Sequence, residues 1–212
     1  MRVRDGRVLK KHNWRLDPGD YRAVAQSEIR LDRRRPPEGA RHLITLAQLR
    51  AFIALLPDWD EVAIGLDAIL LDSATDCDGW YGPGVVAICP WPRDLWEWWD
   101  PPHLAEHRHL LDLLDVERVD VRESPDFEAF SAWFERLAGR RPVPAGQLEV
   151  RWTEAQARAY QLLHILPHEL GHHHDRMTTR TRRSGARGEP YAEAYANRVL
   201  DRVWPAYSRR LG

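Results

Sequence analysis

The chain has 212 residues, with 31 basic and 32 acidic side chains, ten histidines, ten tryptophans and two cysteines. Its hydrophobic content of 43% excludes a chain that is disordered throughout, and no apolar run approaches the ~20 residues of a membrane-spanning helix. Charged residues open the sequence without a following apolar stretch, so no secretory signal is predicted. We therefore expect a soluble, globular, cytoplasmic protein.

The net charge of −1 hides an uneven distribution along the chain. Residues 1–41 carry a net charge of +6, residues 42–175 carry −13 and residues 176–212 carry +6. Arginine supplies most of the positive charge and suits anion binding, although pairing with the acidic middle is the favoured interpretation. Residues 1–41 are predicted to form a basic N-terminal arm, and residues 42–212 a single domain.

The first predicted elements are one helix and two strands. Thr45 and Gln48 have the spacing of a capping box ahead of an amphipathic helix. Apolar runs between residues 60 and 72 and over residues 84–89 predict two strands. The polar loop over residues 76–83 would join them as an antiparallel pair.

The rest of the chain is predicted to be mainly helical. Helical patterns cover residues 103–114, 126–137, 154–175 and 189–203, and short strands are predicted around residues 116–121 and 148–152. Pro167 lies inside the third of these helices, so we expect either a kink there or two helices that meet, the second with Pro167 in its first turn. This mixture predicts the α+β class with a small antiparallel or mixed sheet.

Five of the ten histidines fall within eleven residues, and two of them belong to an H-E-x-x-H pattern over residues 168–172. Histidines four apart share one face of a helix, so the imidazoles of His168 and His172 can bind one Zn²⁺ ion. Glu169 is rotated by about 100° from His168 and can take a proton from a water beside the metal. We predict two zinc ligands and a catalytic base.

Two histidines leave a tetrahedral zinc ion short of a third protein ligand. Asp175 lies about 10 Å further along the helix than His168, too far unless the helix breaks. Glu193 on the next predicted helix is favoured, because Asn197 one turn later would orient its carboxylate. Glu189, one turn earlier, is the alternative. The residues predicted to orient a ligand or to stabilise an oxyanion are His173, Tyr191, Tyr195 and Asn197.

The H-E-x-x-H pattern followed by Glu193 resembles the gluzincin branch of the zincin metallopeptidases. With the segment over residues 193–197, it is similar to the bacterial phage-repressor-cleaving metallopeptidases over about residues 160–200. The resemblance implies a zincin-like domain that hydrolyses peptide or protein substrates with Zn²⁺. It also implies an edge strand above the active-site helix, for which residues 84–89 are the candidate.

The other features of the sequence have weaker functional interpretations. A second hypothesis is a non-catalytic zincin-fold module that binds a protein or nucleic acid through the Arg-rich ends. His103 and His107 are also four apart, and a solvated helix is favoured over a second metal site. The Trp-rich segment over residues 91–99 is expected to pack in the core. Cys77 and Cys89 are expected to be reduced thiols, with a disulfide across a hairpin as the alternative.

Overall fold

A computed structural model describes residues 3–4, 7–8, 29–123, 125–139, 146–179 and 187–211. The strands are β1 (Val3–Arg4), β2 (Arg7–Val8), β3 (Arg30–Arg33), β4 (Ala40–Arg41), β5 (Ala68–Leu71), β6 (Gly79–Gly82), β7 (Val85–Ile88), β8 (Trp91–Pro92), β9 (Trp96–Trp99), β10 (Glu117–Asp120) and β11 (Leu148–Arg151). The helices are α1 (Leu46–Ile53), α2 (Trp59–Val62), α3 (Pro101–Leu113), α4 (Pro125–Ala138), α5 (Glu154–Tyr160), α6 (Leu166–Thr178) and α7 (Gly188–Arg210). The predicted α+β class is confirmed, with small mixed and antiparallel sheets.

The chain forms two compact units, one of residues 1–93 with 158–212 and one of residues 94–157. The sheet of the first unit has the order β3-β5-β7-β6, in which β5 runs parallel to both β3 and β7, and β6 is antiparallel to β7. Every residue of β5 and β7 is at most 1% exposed. Such fully buried apolar runs are typical of strands that are covered on both faces.

Four sequence-based expectations about this sheet differ from the structure. Residues 84–89 do not form an edge strand, because β7 lies between β5 and β6, and β6 is the edge. The predicted loop over residues 76–83 contains β6, whose flanking glycines resemble turn residues. The hairpin β6–β7 returns β7 parallel to β5, so the predicted antiparallel pair is also wrong. Of the run between residues 60 and 72, only Ala68–Leu71 is a strand.

The Arg-rich N-terminal segment contributes directly to this sheet. β3 lies within the predicted arm, and residues 9–28 of that arm lie outside the described residues. Arg34 forms an ion pair of 3.2 Å with Asp72, and Arg30 forms one of 3.1 Å with Asp32. The pair of Arg34 and Asp72 joins the basic end to the acidic middle, as expected, whereas Arg30 pairs with a carboxylate of the basic end itself.

The second unit contains α3, α4 and the antiparallel sheet β10-β11-β9. These elements confirm the helices and strands predicted between residues 103 and 152. Trp99 and Trp152 are each 5% exposed, which fits the predicted packing role of the tryptophans, whereas Trp133 on α4 is 55% exposed. The division into an arm and a single domain over residues 42–212 stays a prediction.

The long predicted helix around Pro167 consists of three consecutive segments: α5, a π-helical segment (Gln161–Ile165) and α6. Pro167 lies in the first turn of α6, as one of the two predicted arrangements required. Thr153 and Gln156 form a capping box at the start of α5.

No helix in the described part of the chain has the length and hydropathy that crossing a membrane requires.

Candidate metal centre

Helix α7 folds back along α6, and Gly171 allows the two helices to approach closely. A Cβ atom at Gly171 would lie 2.8 Å from Cα of Ala192 and 3.1 Å from Cβ of Tyr195. These distances are shorter than ordinary van der Waals contact, so any larger residue would push α7 away. The glycine inside the H-E-x-x-H pattern is thus required by the packing of the second helix.

Asp175 links the last turns of α6 to the start of α7. Its carboxylate accepts hydrogen bonds from the backbone N–H groups of Arg187 (3.1 Å) and Gly188 (3.0 Å), at the start of α7. It also forms a 2.6 Å ion pair with the Arg187 guanidinium. Burial opposes ionisation, but these hydrogen bonds outweigh it and hold the pKa of Asp175 below its usual value. Asp175 therefore caps α7, and its carboxylate is engaged away from the two histidines.

Three side chains meet where α6 and α7 face each other, and we call them the His–Glu cluster: His168, His172 and Glu189. Nε2 of His168 lies 3.2 Å from Nε2 of His172. Oε2 of Glu189 lies 3.1 Å from Nε2 of His168 and 3.5 Å from Nε2 of His172. The cluster thus brings three metal-ligating atoms into one small triangle.

Glu193, the predicted third ligand, lies on the other side of the His168 ring. Its Oε2 is 3.3 Å from Nδ1 of His168 and 3.7 Å from Nε2 of His164. Asn197 donates a 3.2 Å hydrogen bond to Oε1 of Glu193, which is the predicted contact between these two residues. The third-ligand role of Glu193 stays a prediction, and Glu189 is the carboxylate next to both Nε2 atoms.

The two carboxylates determine the charge state of the first histidine. Burial alone would lower the pKa of His168, but the hydrogen bonds with Glu189 and Glu193 outweigh it and raise this pKa to about 10. The same contacts with His168 and His172 hold the pKa of Glu189 well below its usual range. The side chains of His168, Glu189 and Glu193 therefore form a tight network of ion pairs.

Glu169 lies beneath the edge strand β6. A Cβ atom at Gly79 would be 3.0 Å from Cγ of Glu169 and 2.7 Å from Cγ2 of Ile165, so only glycine fits there. Burial raises the pKa of Glu169 to about 7, although the charges of His168 and His172 oppose this rise. A carboxylate with a pKa near neutrality can both accept and release a proton at physiological pH.

The other predicted site residues are occupied elsewhere. His173 is fully buried, and its Nε2 donates a 3.0 Å hydrogen bond to the backbone carbonyl of Ile64. Tyr191 is hydrogen-bonded to Nδ1 of His174 at 2.6 Å, and the Tyr195 hydroxyl contacts the Asp58 carboxylate at 3.2 Å. The structure therefore gives these three residues contacts outside the His–Glu cluster.

Sequence reasoning missed two residues of the site. The sequence predicts a loop at Gly79, and nothing local indicates that its backbone covers Glu169. His164, which lies next to Glu193, is one helical turn before His168 and could have been identified from the repeated spacing of four residues. Gly79 reaches Glu169 through a long-range contact, whereas His164 belongs to a pattern that is visible in the sequence.

A second group of possible ligands lies in the other unit, and we call it the α3 group: His103, Glu106 and His107. Nδ1 of His107 donates a 2.9 Å hydrogen bond to the backbone carbonyl of His103. The rings of both histidines contact Trp99, with centroid distances of 4.2 and 5.5 Å. Burial, helped by the charge of His107, lowers the pKa of His103 to about 3.

Comparison of the chain with protein-family models, with curated proteins and with solved structures finds no match.

Proposed function

We propose that the chain is a zinc-dependent metallopeptidase with a zincin-like, gluzincin-type site, in which His168, His172 and Glu189 hold Zn²⁺ and Glu169 is the catalytic base. The observation that carries this proposal is the triangle of the His–Glu cluster, whose sides are 3.1, 3.2 and 3.5 Å. Zinc bonds of about 2.0–2.1 Å in tetrahedral geometry place neighbouring ligand atoms about 3.3 Å apart. The three atoms have the spacing of one face of such a tetrahedron.

The chemistry and exposure of the cluster also fit a catalytic zinc site. Two imidazole nitrogens and one carboxylate oxygen are a common ligand set for catalytic zinc, which keeps a fourth position for water or substrate. The side chains of His168 and His172 are 19% and 21% exposed, and that of Glu189 is 55% exposed. The cluster therefore has access to solvent.

Glu193 supports this assignment by its contact with the other nitrogen of His168. A carboxylate that accepts a hydrogen bond from Nδ1–H directs the Nε2 lone pair of the same ring toward a metal. Glu193 itself is held by Asn197. If Glu193 were the ligand instead, His168 would have to present Nδ1 to the ion, and Nδ1 is not the atom next to Nε2 of His172.

The catalytic proton transfers belong to Glu169. When bound, zinc supplies Lewis acidity, which lowers the pKa of a coordinated water and polarises a carbonyl. A carboxylate oxygen of Glu169 accepts a proton from the attacking water and then passes it to the leaving amine. The raised pKa of Glu169, about 7, suits both transfers.

The edge strand β6 suits an extended peptide substrate. β6 is the last strand of its sheet, and Gly79 lies directly over Glu169. A peptide that pairs with the outer edge of β6 would place its backbone close to this base, by the β-strand addition that many peptide-binding proteins use. We therefore propose that β6 takes the role that the resemblance suggested for residues 84–89.

Metal content and the E169Q variant test the proposed function together. We expect about one zinc ion per chain in both wild type and E169Q, and a fall of about 10³-fold in the rate of casein hydrolysis for E169Q. Glu106→Gln, an exposed carboxylate on α3, is the matched control and should keep full activity. Zinc-dependent hydrolysis that survives in E169Q would contradict the assigned base.

Cobalt substitution tests the open position without a known substrate. Acetohydroxamate should change the visible spectrum of the Co²⁺ protein, because it binds at a position that the protein leaves open. An unchanged spectrum would mean a site closed by protein ligands. That result would favour the alternative of a non-catalytic binding module.

A further inference from the structure

The two cysteines meet at the open end of the β6–β7 hairpin. The ladder of this hairpin pairs Gly79 with Ile88 and continues with a 2.9 Å hydrogen bond from the Cys89 N–H to the Asp78 carbonyl. Cys77 is the residue before Asp78, the acceptor of this last hydrogen bond, and Cys89 is its donor. Their sulfur atoms are 3.6 Å apart, and both are free thiols.

We propose that Cys77 and Cys89 are an oxidisable dithiol, a modification site that forms a reversible disulfide across the end of the hairpin. A disulfide requires a sulfur–sulfur distance of about 2.05 Å. The approach of about 1.5 Å that is needed lies within the range of small side-chain rotations. Since the flanking backbone is already paired, the bond forms between residues that the native ladder holds together.

The exposure of the two thiols sets the order of the reaction. Cys77 is half-buried, whereas Cys89 is 1% exposed. The hydrogen bond with Cys77, together with burial, raises the pKa of Cys89, so Cys89 stays protonated until Cys77 has reacted. The thiol of Cys77 therefore reacts first with an oxidant, and Cys89 is the resolving thiol.

The oxidant that we name is a low-molecular-weight disulfide, such as glutathione disulfide. The Cys77 thiolate attacks one of its sulfur atoms and releases one glutathione thiolate, which leaves a mixed disulfide. Sγ of Cys89 loses its proton to solvent and attacks Sγ of Cys77, which releases the second glutathione. The two cysteines are oxidised by two electrons, and one glutathione disulfide is reduced to two thiols.

The disulfide between Cys77 and Cys89 would restrict the motion of the strand that covers Glu169. Cys77 lies two residues before Gly79, the residue in contact with the Glu169 side chain. The Cys89 carbonyl accepts a 2.8 Å hydrogen bond from Nε2 of Gln161, in the π-helical segment before α6. The disulfide would thus stiffen both the edge strand and its attachment to the helix, whether or not the site holds zinc.

Mass spectrometry of the full chain tests the proposal. The native protein is incubated with glutathione disulfide, quenched with acid, unfolded and treated with N-ethylmaleimide. We expect a product that lacks two hydrogens and carries neither a maleimide nor a glutathione adduct. The C77S variant should keep one maleimide adduct, on Cys89. Accumulation of a stable mixed disulfide on Cys77, or two unreacted thiols, would contradict the proposal.

Thermal unfolding gives an independent readout in the same metal state. The disulfide closes a short loop, so oxidised wild type should unfold about 5 °C or more above the reduced protein. Dithiothreitol should reverse this shift, and C77S should show none. A lower unfolding temperature after oxidation would overturn the inference, because it would mean that the bond strains the hairpin. This unfolding measurement depends on neither zinc content nor hydrolysis, so its failure can be distinguished from failure of the proposed function.

Discussion

The His–Glu cluster and the α3 group both contain two histidines four residues apart on a helix, yet their surroundings differ. In the cluster, the carboxylate comes from a second helix, α7, and reaches both Nε2 atoms. In the α3 group, Glu106 comes from the same helix turn, and Nδ1 of His107 is bonded to the backbone of that helix. The spacing of four residues brings two histidines together in both groups, whereas the carboxylate of the cluster reaches them only through tertiary structure.

The electrostatics of the two groups differ in the same way. Two carboxylates raise the pKa of His168 to about 10, whereas burial and the neighbouring His107 lower the pKa of His103 to about 3. The carboxylates around His168 favour its protonated form, while the apolar environment of His103 beside Trp99 favours the neutral form. This contrast suggests variants that should separate a metal site from a packed helix turn.

The largest effect is expected from the removal of one histidine in each group. H172A should weaken zinc binding by on the order of 1000-fold, because it removes one of three protein ligands. H103A should change zinc affinity by less than about 3-fold. Competition with a chromophoric zinc chelator measures both. Loss of one bound zinc ion in H103A would mean that the α3 group is also a metal site.

The next effect distinguishes the two glutamates of α7. E189Q should weaken zinc binding more than E193Q, for which a loss of about 10–100-fold is typical of residues that orient a ligand. The physical reason is that Glu189 faces the Nε2 atoms, whereas Glu193 faces Nδ1 of His168. The same chelator assay gives the order. A larger loss in E193Q would support the ligand that the sequence predicted.

A smaller effect is expected where the two helices touch. Gly171→Ala would press a methyl group against Ala192, at a cost of about 1–3 kcal/mol that the better helix propensity of alanine offsets by about 1 kcal/mol. Ala105→Gly on the exposed face of α3 should cost about 1 kcal/mol through propensity alone. Urea unfolding measures both costs. Only G171A should also weaken zinc binding, and equal zinc affinities would contradict the proposed dependence on α7.

The last pair of effects concerns pH and the metal-free protein. The pKa of His168 is raised from 6.5 to about 10, so its stabilising contribution is complete below pH 6.5 and is lost as the pH rises to 10. The pKa of His103 is lowered from 6.5 to about 3, so its contribution is present above pH 6.5 and is lost as the pH falls to 3.

The unfolding free energies of two variants, measured from pH 3 to pH 10, should therefore differ from that of the wild type in opposite pH ranges. H168Q should reduce the loss of stability on the alkaline side, and H103Q should reduce it on the acidic side. The wild-type protein without metal is the reference for both. Changes in the same pH range would show that the two histidines do not differ in the proposed way.

The sequence predicted the parts of the fold and site that depend on local patterns. The capping box at Thr45, the helix with Pro167 in its first turn and the strand over residues 85–88 follow from spacing within a few residues. The strand β6 does not follow from such patterns, because Gly79 and Gly82 locally indicate turns, and the helix that passes beneath Gly79 is a long-range contact. A glycine that is required by a close contact has no local pattern in a single sequence.

The choice between Glu189 and Glu193 illustrates the same limit. Both lie on one face of α7, one turn apart, so helical periodicity places both near α6. Which one faces the Nε2 atoms depends on the offset between the helices, which the cap at Asp175 and the contact at Gly171 determine. Neither contact is visible in the spacing of the motif.

The π-helical segment has a consequence for any redesign of this helix. Leu166 N–H bonds to the Gln161 carbonyl, five residues back, so this turn contains one residue more than an α-helical turn. If the same residues wound as a regular α-helix, every residue after this turn would be rotated by about 100° relative to α5. His168 and His172 would then face away from α7. The wide turn absorbs one extra residue, so the direction in which the two histidines point depends on this turn staying π-helical.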